Sequence, residues 1–280
     1  MKPQFQHKLA TSYLLWFENF FLKYSEAYSI QTGIFKYYAD DRLPSGYNAF
    51  GSQYKQLIYD SSLPNAYIPS GVYVNNSFVA IDNSNYIIDF DNGRFIGKNV
   101  PTGSVISGKF TPKDINLYYT NDMEENIVLN VQEKINESVS NKHEFYVPYE
   151  QKLPAIYLSN ESSKNEPFAF GGLNETSTRA KAIVIANNSY ELDCILSIFA
   201  DSYNETVALC NFDSHPLNEY SSLKSGHYSY NDIKNTFEKS IFVKDVNVSK
   251  MSDKIKQNLL KDLYIGFIDF DLSTVRYRFN

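Results

Sequence analysis

A chain of 280 residues with 43% hydrophobic and 21% charged residues can bury a substantial core, which excludes global disorder. A net charge of −6 excludes nucleic-acid binding over the whole surface, because neutralising phosphates requires clustered Lys and Arg. The chain contains 23 Tyr, 20 Phe and 28 Asn. Tyr and Phe favour strands and large contact surfaces, and an AT-rich genome is a compatible second cause of this bias.

The first segment is predicted to be an amphipathic helix from Gln4 to Tyr28, because apolar side chains recur every three or four residues. We expect Gly33 to end this helix, so that residues 1–33 form an N-terminal helical unit. The aromatic face of the helix either packs on the chain's own domain or docks on a neighbouring subunit, because interface cores favour aromatics. Its candidate interface residues are Tyr13, Trp16, Phe17, Phe20, Phe21 and Tyr24.

Residues 34–70 are predicted to form a loop-rich connecting arm with short extended pieces, because Pro and Gly recur between aromatic residues. A loop of this length inside a compact protein is typical of a functional or contact segment. Tyr47, Phe50 and Tyr54 are its candidate interface residues.

Residues 71–150 are predicted to form an antiparallel β-rich domain, because short apolar runs are broken by turn residues. Tight turns are expected at Asn75-Asn76 and at Asn92-Gly93, and both are candidate contact tips. A further strand is expected at residues 138–149. The strand-like apolar positions are Val72, Val74, Phe78, Ala80, Tyr86, Ile88, Phe90, Phe95, Val105, Phe110, Ile115, Leu117, Tyr119, Ile127 and Leu129.

Residues 151–280 are predicted to form a mixed domain, and its irregular order of elements favours an α+β fold over a doubly wound one. The predicted strands are Leu153–Leu158, Arg179–Ala186 and Tyr264–Phe279, with a polar loop at 160–178. The predicted helices are Ser189–Asp201, Tyr230–Ser240 and Ser252–Leu263. Ser189 is the expected N-cap of the first of these helices.

No residue pattern supports a metal or phosphate site. Asp89, Asp91, Asn92 and Gly93 lack the spacing of an EF-hand, and a hairpin turn accounts for them. Gly171-Gly172 lacks the Lys and the strand-to-helix context of a P-loop. The histidines have no i, i+4 metal spacing; they are His7, His143, His215 and His227. We therefore expect no metal and no cofactor.

Candidate catalytic groups are equally scattered. Cys194 and Cys210 are too few for a disulfide framework, and Cys194 is expected to be a buried thiol because its helical run is apolar. A Cys-His hydrolytic pair built from Cys210 with His215 or His227, near Asp213, has no supporting local signature. Glycosidase carboxylates cannot be paired from sequence; the candidates are Asp82, Asp89, Asp269 and Asp271. We expect a non-enzymatic protein.

Targeting signals are also missing from the sequence pattern. Glu18 and Asn19 interrupt the apolar stretch near the N-terminus, and no run of eighteen apolar residues occurs. We expect a protein made in the cytoplasm, without a membrane span. A short basic segment is interpreted as a solvated helix face; it contains Lys250, Lys254, Lys256 and Lys261.

The segment RAKAIVIANNSYELDCILSIFAD, which begins at Arg179 and is preceded by FAFGGLNETST, resembles virion structural proteins of bacteriophages with contractile tails. Other segments share this resemblance, namely LWFENFFLKYSEAY, YKQLIYDSS, IPSGVYVN and IDFDNGRF. It covers most of the chain and carries no catalytic residues.

The resemblance implies a subunit of a homo-oligomeric ring in the virion, acting as a neck or head–tail connector or as a tail terminator. The implied partners are further copies and other neck, tail-tube or sheath proteins, with DNA only passing through the lumen. The β-rich insert departs from a minimal terminator. The alternatives are a baseplate or tail adaptor, and a carbohydrate-binding β-domain that stacks exposed Tyr and Phe on sugars.

Overall fold

A computed structural model describes residues 5–130, 151–169, 172–211, 215–236, 240–252 and 263–277. The chain has an α+β fold with two β-sheets and helices packed between and beside them. The helices are α1 (Phe5–Ser25), α2 (124–130), α3 (Ser189–Ala200) and α4 (Tyr230–Thr236). The strands of the first sheet are β1 (Gln31–Tyr38), β2 (Tyr47–Gly51), β3 (Gly71–Val74), β4 (Ser77–Ala80), β5 (Tyr86–Asp89), β6 (Arg94–Lys98) and β7 (Ile106–Phe110). The strands of the second sheet are β8 (Asn116–Tyr119), β9 (Ala155–Ala169), β10 (Leu173–Ala186), β11 (Thr206–Ala208), β12 (Ser240–Lys250) and β13 (Tyr264–Tyr277).

The first sheet is antiparallel, with the order β4-β3-β7-β1-β2-β6-β5. Strand β1 lies at its centre, because its first part pairs with β7 and its last part with β2. The short extended pieces expected in the arm at 34–70 are thus most of β1 and all of β2, two strands of this sheet. Gly33 lies inside β1, so the expectation that it ends the helix was wrong. Helix α1 ends at Ser25, and Glu26 has a φ of 49°.

The second sheet is mixed, with the order β11-β12-β13-β10-β9-β8, in which β8 and β9 are parallel. The polar loop expected at 160–178 is instead mostly a hairpin of β9 and β10. Polar residues support this pairing across the hairpin: Ser163 Oγ lies 2.9 Å from Thr178 Oγ1. The Thr176 hydroxyl donates a 2.6 Å hydrogen bond to Asn165.

One large hydrophobic core joins α1, α3, the first sheet and one face of the second sheet. Phe17 of α1 stacks on Phe199 of α3 with ring centroids 4.3 Å apart, and both contact Phe270 of β13. The opposite face of the second sheet packs under α2, where Ile127 contacts the β10 cluster. Residues 124–130 are therefore helical, and the prediction of strand positions at Ile127 and Leu129 was wrong.

Helix α3 confirms the predicted helix except at its ends. Its N-cap is Asn188 and not Ser189, because Asn188 Oδ1 accepts a 2.8 Å hydrogen bond from the Glu191 amide. Glu191 Oε2 accepts a 2.8 Å hydrogen bond from the Asn187 amide in return. Strand β12 begins at Ser240, where a helix end was expected. The strand expected at 138–149 and nearly all of the helix expected at Ser252–Leu263 lie outside the described residues.

Candidate interaction surface

The aromatic face of α1 belongs mainly to the chain's own core. Tyr24 is 56% exposed and lies at the helix end. The other five aromatic side chains of this face are buried, namely Tyr13, Trp16, Phe17, Phe20 and Phe21. The sequence left open whether this face packs on its own chain or docks on a neighbouring subunit. These five side chains pack on their own chain.

The aromatic residues of the expected arm are also largely inside the protein. Phe50 is fully buried in β2. Tyr47 is half-buried, and its hydroxyl donates a 2.8 Å hydrogen bond to the Ser84 carbonyl. Tyr54 is half-buried, with its ring edge-on to Phe110 at 5.8 Å. None of these three side chains forms an open contact surface in the described part of the chain.

The two predicted turns differ in exposure. Asn75 and Asn76 have φ values of 48° and 68°, connect β3 to β4 and are exposed. Asn92 is half-buried and accepts a 3.0 Å hydrogen bond from Lys55 Nζ. Gly93 is buried with a φ of 56°. Both hairpins are confirmed, but the second turn points inward and is not a contact tip.

An exposed apolar row crosses the outer face of the first sheet; we call it the β4 surface. In the strand register, Phe78 lies opposite Tyr73, Tyr73 opposite Ser107, and Ser107 opposite Ile34. Ile34 is 58% exposed, Tyr73 48% and Phe78 54%. Val105, which precedes β7, completes this surface at 59% exposure.

The packing of the β4 surface holds its aromatic rings in place. The rings of Tyr73 and Phe78 meet edge to face, with centroids 5.5 Å apart. The Phe78 ring covers Gly71, where an added Cβ would lie 2.5 Å from Phe78 Cζ. Strand β4 is the edge of the sheet, and among the described residues no further strand pairs with its outer backbone groups. This edge therefore combines apolar side chains with backbone groups open to pairing.

Sequence reasoning missed Ile34 and Tyr73 and placed Phe78 and Val105 among strand positions without separating the two faces. The sequence did contain a sign of this exposed face, namely the run Val72-Tyr73-Val74. Consecutive strand residues point to opposite faces of the sheet, so this run places apolar side chains on both faces. Such a strand exposes one apolar face unless both faces are covered.

A cavity of about 500 Å³ lies between α1, β8 and the loops of the first sheet. Its polar groups largely bind one another: Glu18 Oε1 lies 2.7 Å from Lys113 Nζ. Glu18 Oε2 accepts a 2.6 Å hydrogen bond from the Tyr59 hydroxyl. The Gln56 side chain bonds both the amide and the carbonyl of Leu117, each at 2.7 Å, and so ties the first sheet to β8.

One carboxyl group in this cavity has an altered acidity. Burial raises the pKa of Asp91, and the neighbouring Asp89 carboxylate raises it further, while Lys113 opposes the change. The described side chains that line the cavity bind mainly one another. Among them, no nucleophile is paired with a base. We interpret the cavity as part of the contact between the two sheets.

The candidate chemical residues are dispersed in the structure. Cys194 is exposed, which corrects the expected buried thiol, and Cys210 is buried with its pKa raised to about 11 by burial. The imidazole of His227 lies 3.9 Å from Asp232 at the surface. His143 and Asp213 lie outside the described residues.

The Asp89 carboxylate is occupied by protein groups, accepting hydrogen bonds from Asn92 and Arg94. Asp269 and Asp271 of the inner strand β13 face solvent, while Phe270 between them is buried. In the described ranges, no group of three or more His, Cys, Asp or Glu side chains could hold a metal ion.

No protein-family model matches the chain, and a search of curated protein sequences found no significant match. No helix within the described ranges has the length and apolar character needed to cross a membrane.

Proposed function

We propose that this protein is a non-enzymatic structural subunit of a tailed-bacteriophage virion, which assembles into a ring at the neck or at the tail end. The observation that carries the proposal is the β4 surface. Four exposed apolar side chains lie together beside β4, the edge strand of the sheet in the described residues; they are Ile34, Tyr73, Phe78 and Val105. Apolar side chains grouped in this way mark a surface used for association with another protein.

The sequence resemblance supplies the class of assembly, and the β4 surface supplies a means of forming it. In a ring, each subunit must offer surfaces to two neighbours. Strand β4 offers backbone groups for strand addition, and its side chains offer apolar area. Partners of this kind are further copies of the chain and adjacent neck, tail-tube or sheath proteins.

The test is the mass of the purified protein, alone and after incubation with an extract of tails, measured by sedimentation velocity. We expect the wild type to assemble and the double variant Tyr73→Ser/Phe78→Ser to lose assembly. Tyr190→Ser is the matched control, because Tyr190 is an 83% exposed aromatic on α3, away from the β4 surface. A wild-type protein that stays monomeric and joins no tails would overturn the proposal.

Within the same class, a baseplate or tail adaptor is the second position for such a subunit. A carbohydrate-binding role is favoured by one observation only, the exposed pair Tyr73 and Phe78. Their rings are inclined at 67°, so they do not form a flat platform for a sugar ring. A glycan array distinguishes this role, since binding to host polysaccharide that Tyr73→Ser removes would support it over assembly.

A further inference from the structure

Lys109 places a positive charge on the same face of the first sheet as the β4 surface. Within the described strands β1, β3, β4 and β7, the charged residues are Lys36 and Lys109, and no carboxylate occurs. Lys109 follows Ser107 by two positions, so it lies on the same outer face, opposite Thr32. Its ammonium group lies 4.7 Å from the centroid of the Tyr67 ring and makes no ion pair with the described residues. The strands of this face therefore combine exposed apolar side chains with the charge of Lys109.

The outer face of the second sheet has the opposite character. Asp245 of β12 and Asp271 of β13 are direct partners, and Arg179 of β10 lies opposite Asp271. A depression of about 280 Å³ opens here; its acidic lining residues are Glu161, Asp245, Asp269 and Asp271. This depression is large enough to admit the end of a lysine side chain.

The cations already present neutralise this face only in part. Lys181 lies 3.2 Å from Glu161 and 3.6 Å from Asp269, and also contacts Glu124. Arg179 lies 3.4 Å from Asp271. In the part of the chain that the structure describes, Asp245 forms no ion pair and its carboxylate accepts only the Val246 amide. An acidic excess therefore remains at the depression.

Exposed apolar side chains adjoin the acidic depression, as they adjoin Lys109 on the other face. Phe242 of β12 is 53% exposed and pairs with Ser273, two residues from Asp271. Val275 and Tyr277 continue the same face of β13, at 41% and 55% exposure. The two faces are thus matched in kind: one is apolar with lysines, and the other is apolar with aspartates.

We propose that copies of this chain associate head to tail, with the β4 surface of one copy on the outer face of β10, β12 and β13 of the next. Lys109 of one copy enters the acidic depression beside Asp245 of its neighbour. Because the two surfaces are different, the contact is heterologous and generates a closed ring or a filament rather than a two-fold dimer. This inference rests on the proposed ring function and names the surfaces that would form the ring.

The experiment exchanges the two charges. Lys109→Glu and Asp245→Lys are each expected to raise the dissociation constant of the assembly at least about tenfold, as for close interfacial charge pairs. The combination Lys109→Glu/Asp245→Lys is expected to restore most of the affinity. Lys224→Glu is the control, because Lys224 is an exposed lysine in a turn outside both proposed surfaces. Sedimentation velocity at about 50 and 500 mM salt should show weaker wild-type assembly at high salt, because salt screens the attraction.

A second measurement does not depend on variants. Carbodiimide crosslinking of mixed ¹⁴N- and ¹⁵N-labelled wild-type chains should give intermolecular links from Lys109 to Asp245, Asp269 or Asp271. If the wild type assembles but the double reversal does not rescue and these links are missing, the head-to-tail contact is wrong while ring formation stands. A wild type that stays monomeric in both salts overturns the proposed function itself.

Discussion

Asp89 and Arg94 face each other across the β5–β6 hairpin, and Arg94 Nε lies 2.7 Å from Asp89 Oδ2 in a buried ion pair. Arg94 also binds Asp40 at 2.6 Å and the Tyr38 hydroxyl at 3.0 Å. One guanidinium group thus joins the hairpin to the end of β1. The turn Asp91-Asn92-Gly93 resembles a calcium loop in sequence. The Asp89 carboxylate beside it binds the Arg94 guanidinium instead.

Arg94→Met is expected to lower the free energy of unfolding by about 3–5 kcal/mol, because it leaves the buried Asp89 carboxylate without its cation. Arg42→Met is the control, since Arg42 binds the same Asp40 at 2.7 Å but is 58% exposed. Its loss should be about 1 kcal/mol or less. Urea titration of both variants measures the difference, and equal losses would contradict the central role of Arg94.

Acid should weaken the fold through Asp40. The hydrogen bond from Arg42, and then that from Arg94, hold the pKa of Asp40 below its ordinary value. The stability from this group is therefore fully present above its unfolded pKa of about 4 and is lost as the pH falls toward the folded value. The difference in unfolding free energy between wild type and Asp40→Asn should narrow below about pH 4. A difference that is constant with pH would contradict this assignment.

Phe17→Ala is expected to lower the free energy of unfolding by about 3–5 kcal/mol, because a fully buried ring is removed from the shared core. Tyr24→Ala, on the same helix but 56% exposed, should change it by about 0.5 kcal/mol or less. Denaturant titration distinguishes the two. If Phe17→Ala changed the free energy of unfolding only slightly but abolished assembly, the aromatic face of α1 would instead be a contact between subunits.

Asn188→Ala is expected to cost about 1 kcal/mol, because the Glu191 amide at the start of α3 loses its acceptor. Ser189→Ala, at the N-cap predicted from sequence, should cost less than about 0.5 kcal/mol. Thermal unfolding of both variants at one protein concentration is a sufficient test. The reverse order of effects would place the cap at Ser189.

Gly93→Ala is expected to cost more than Gly226→Ala. Both glycines have positive φ, 56° and 70°, so each alanine carries a strain of about 1–2 kcal/mol. At Gly93 the new Cβ would also lie 2.0 Å from the Tyr54 carbonyl oxygen, whereas nothing lies within 4 Å at Gly226. Equal costs in urea titration would show that the loop at Gly93 can move away from Tyr54.

Local sequence predicts some elements of this fold well and others badly, for physical reasons visible at particular residues. The period of α1 and the two-residue turn at Asn75-Asn76 depend on neighbouring residues, so both follow from the sequence. The β9–β10 hairpin was mistaken for a loop because its polar residues carry no apolar alternation. Strand β10 of this hairpin also pairs along its whole length with the distant strand β13, and a local pattern does not contain that pairing.

The sequence by itself determined the periodicity of α1, the presence of strands and hairpins, the α+β class and the acidic net charge. Only the tertiary structure decided that Phe17 is buried on Phe199, that Gly93 points inward and that Ile34, Tyr73 and Phe78 form one exposed row. The physical reason is that alternation assigns side chains to two faces of a strand or helix. Which face is buried depends on what packs above it, and that partner lies far away in the sequence.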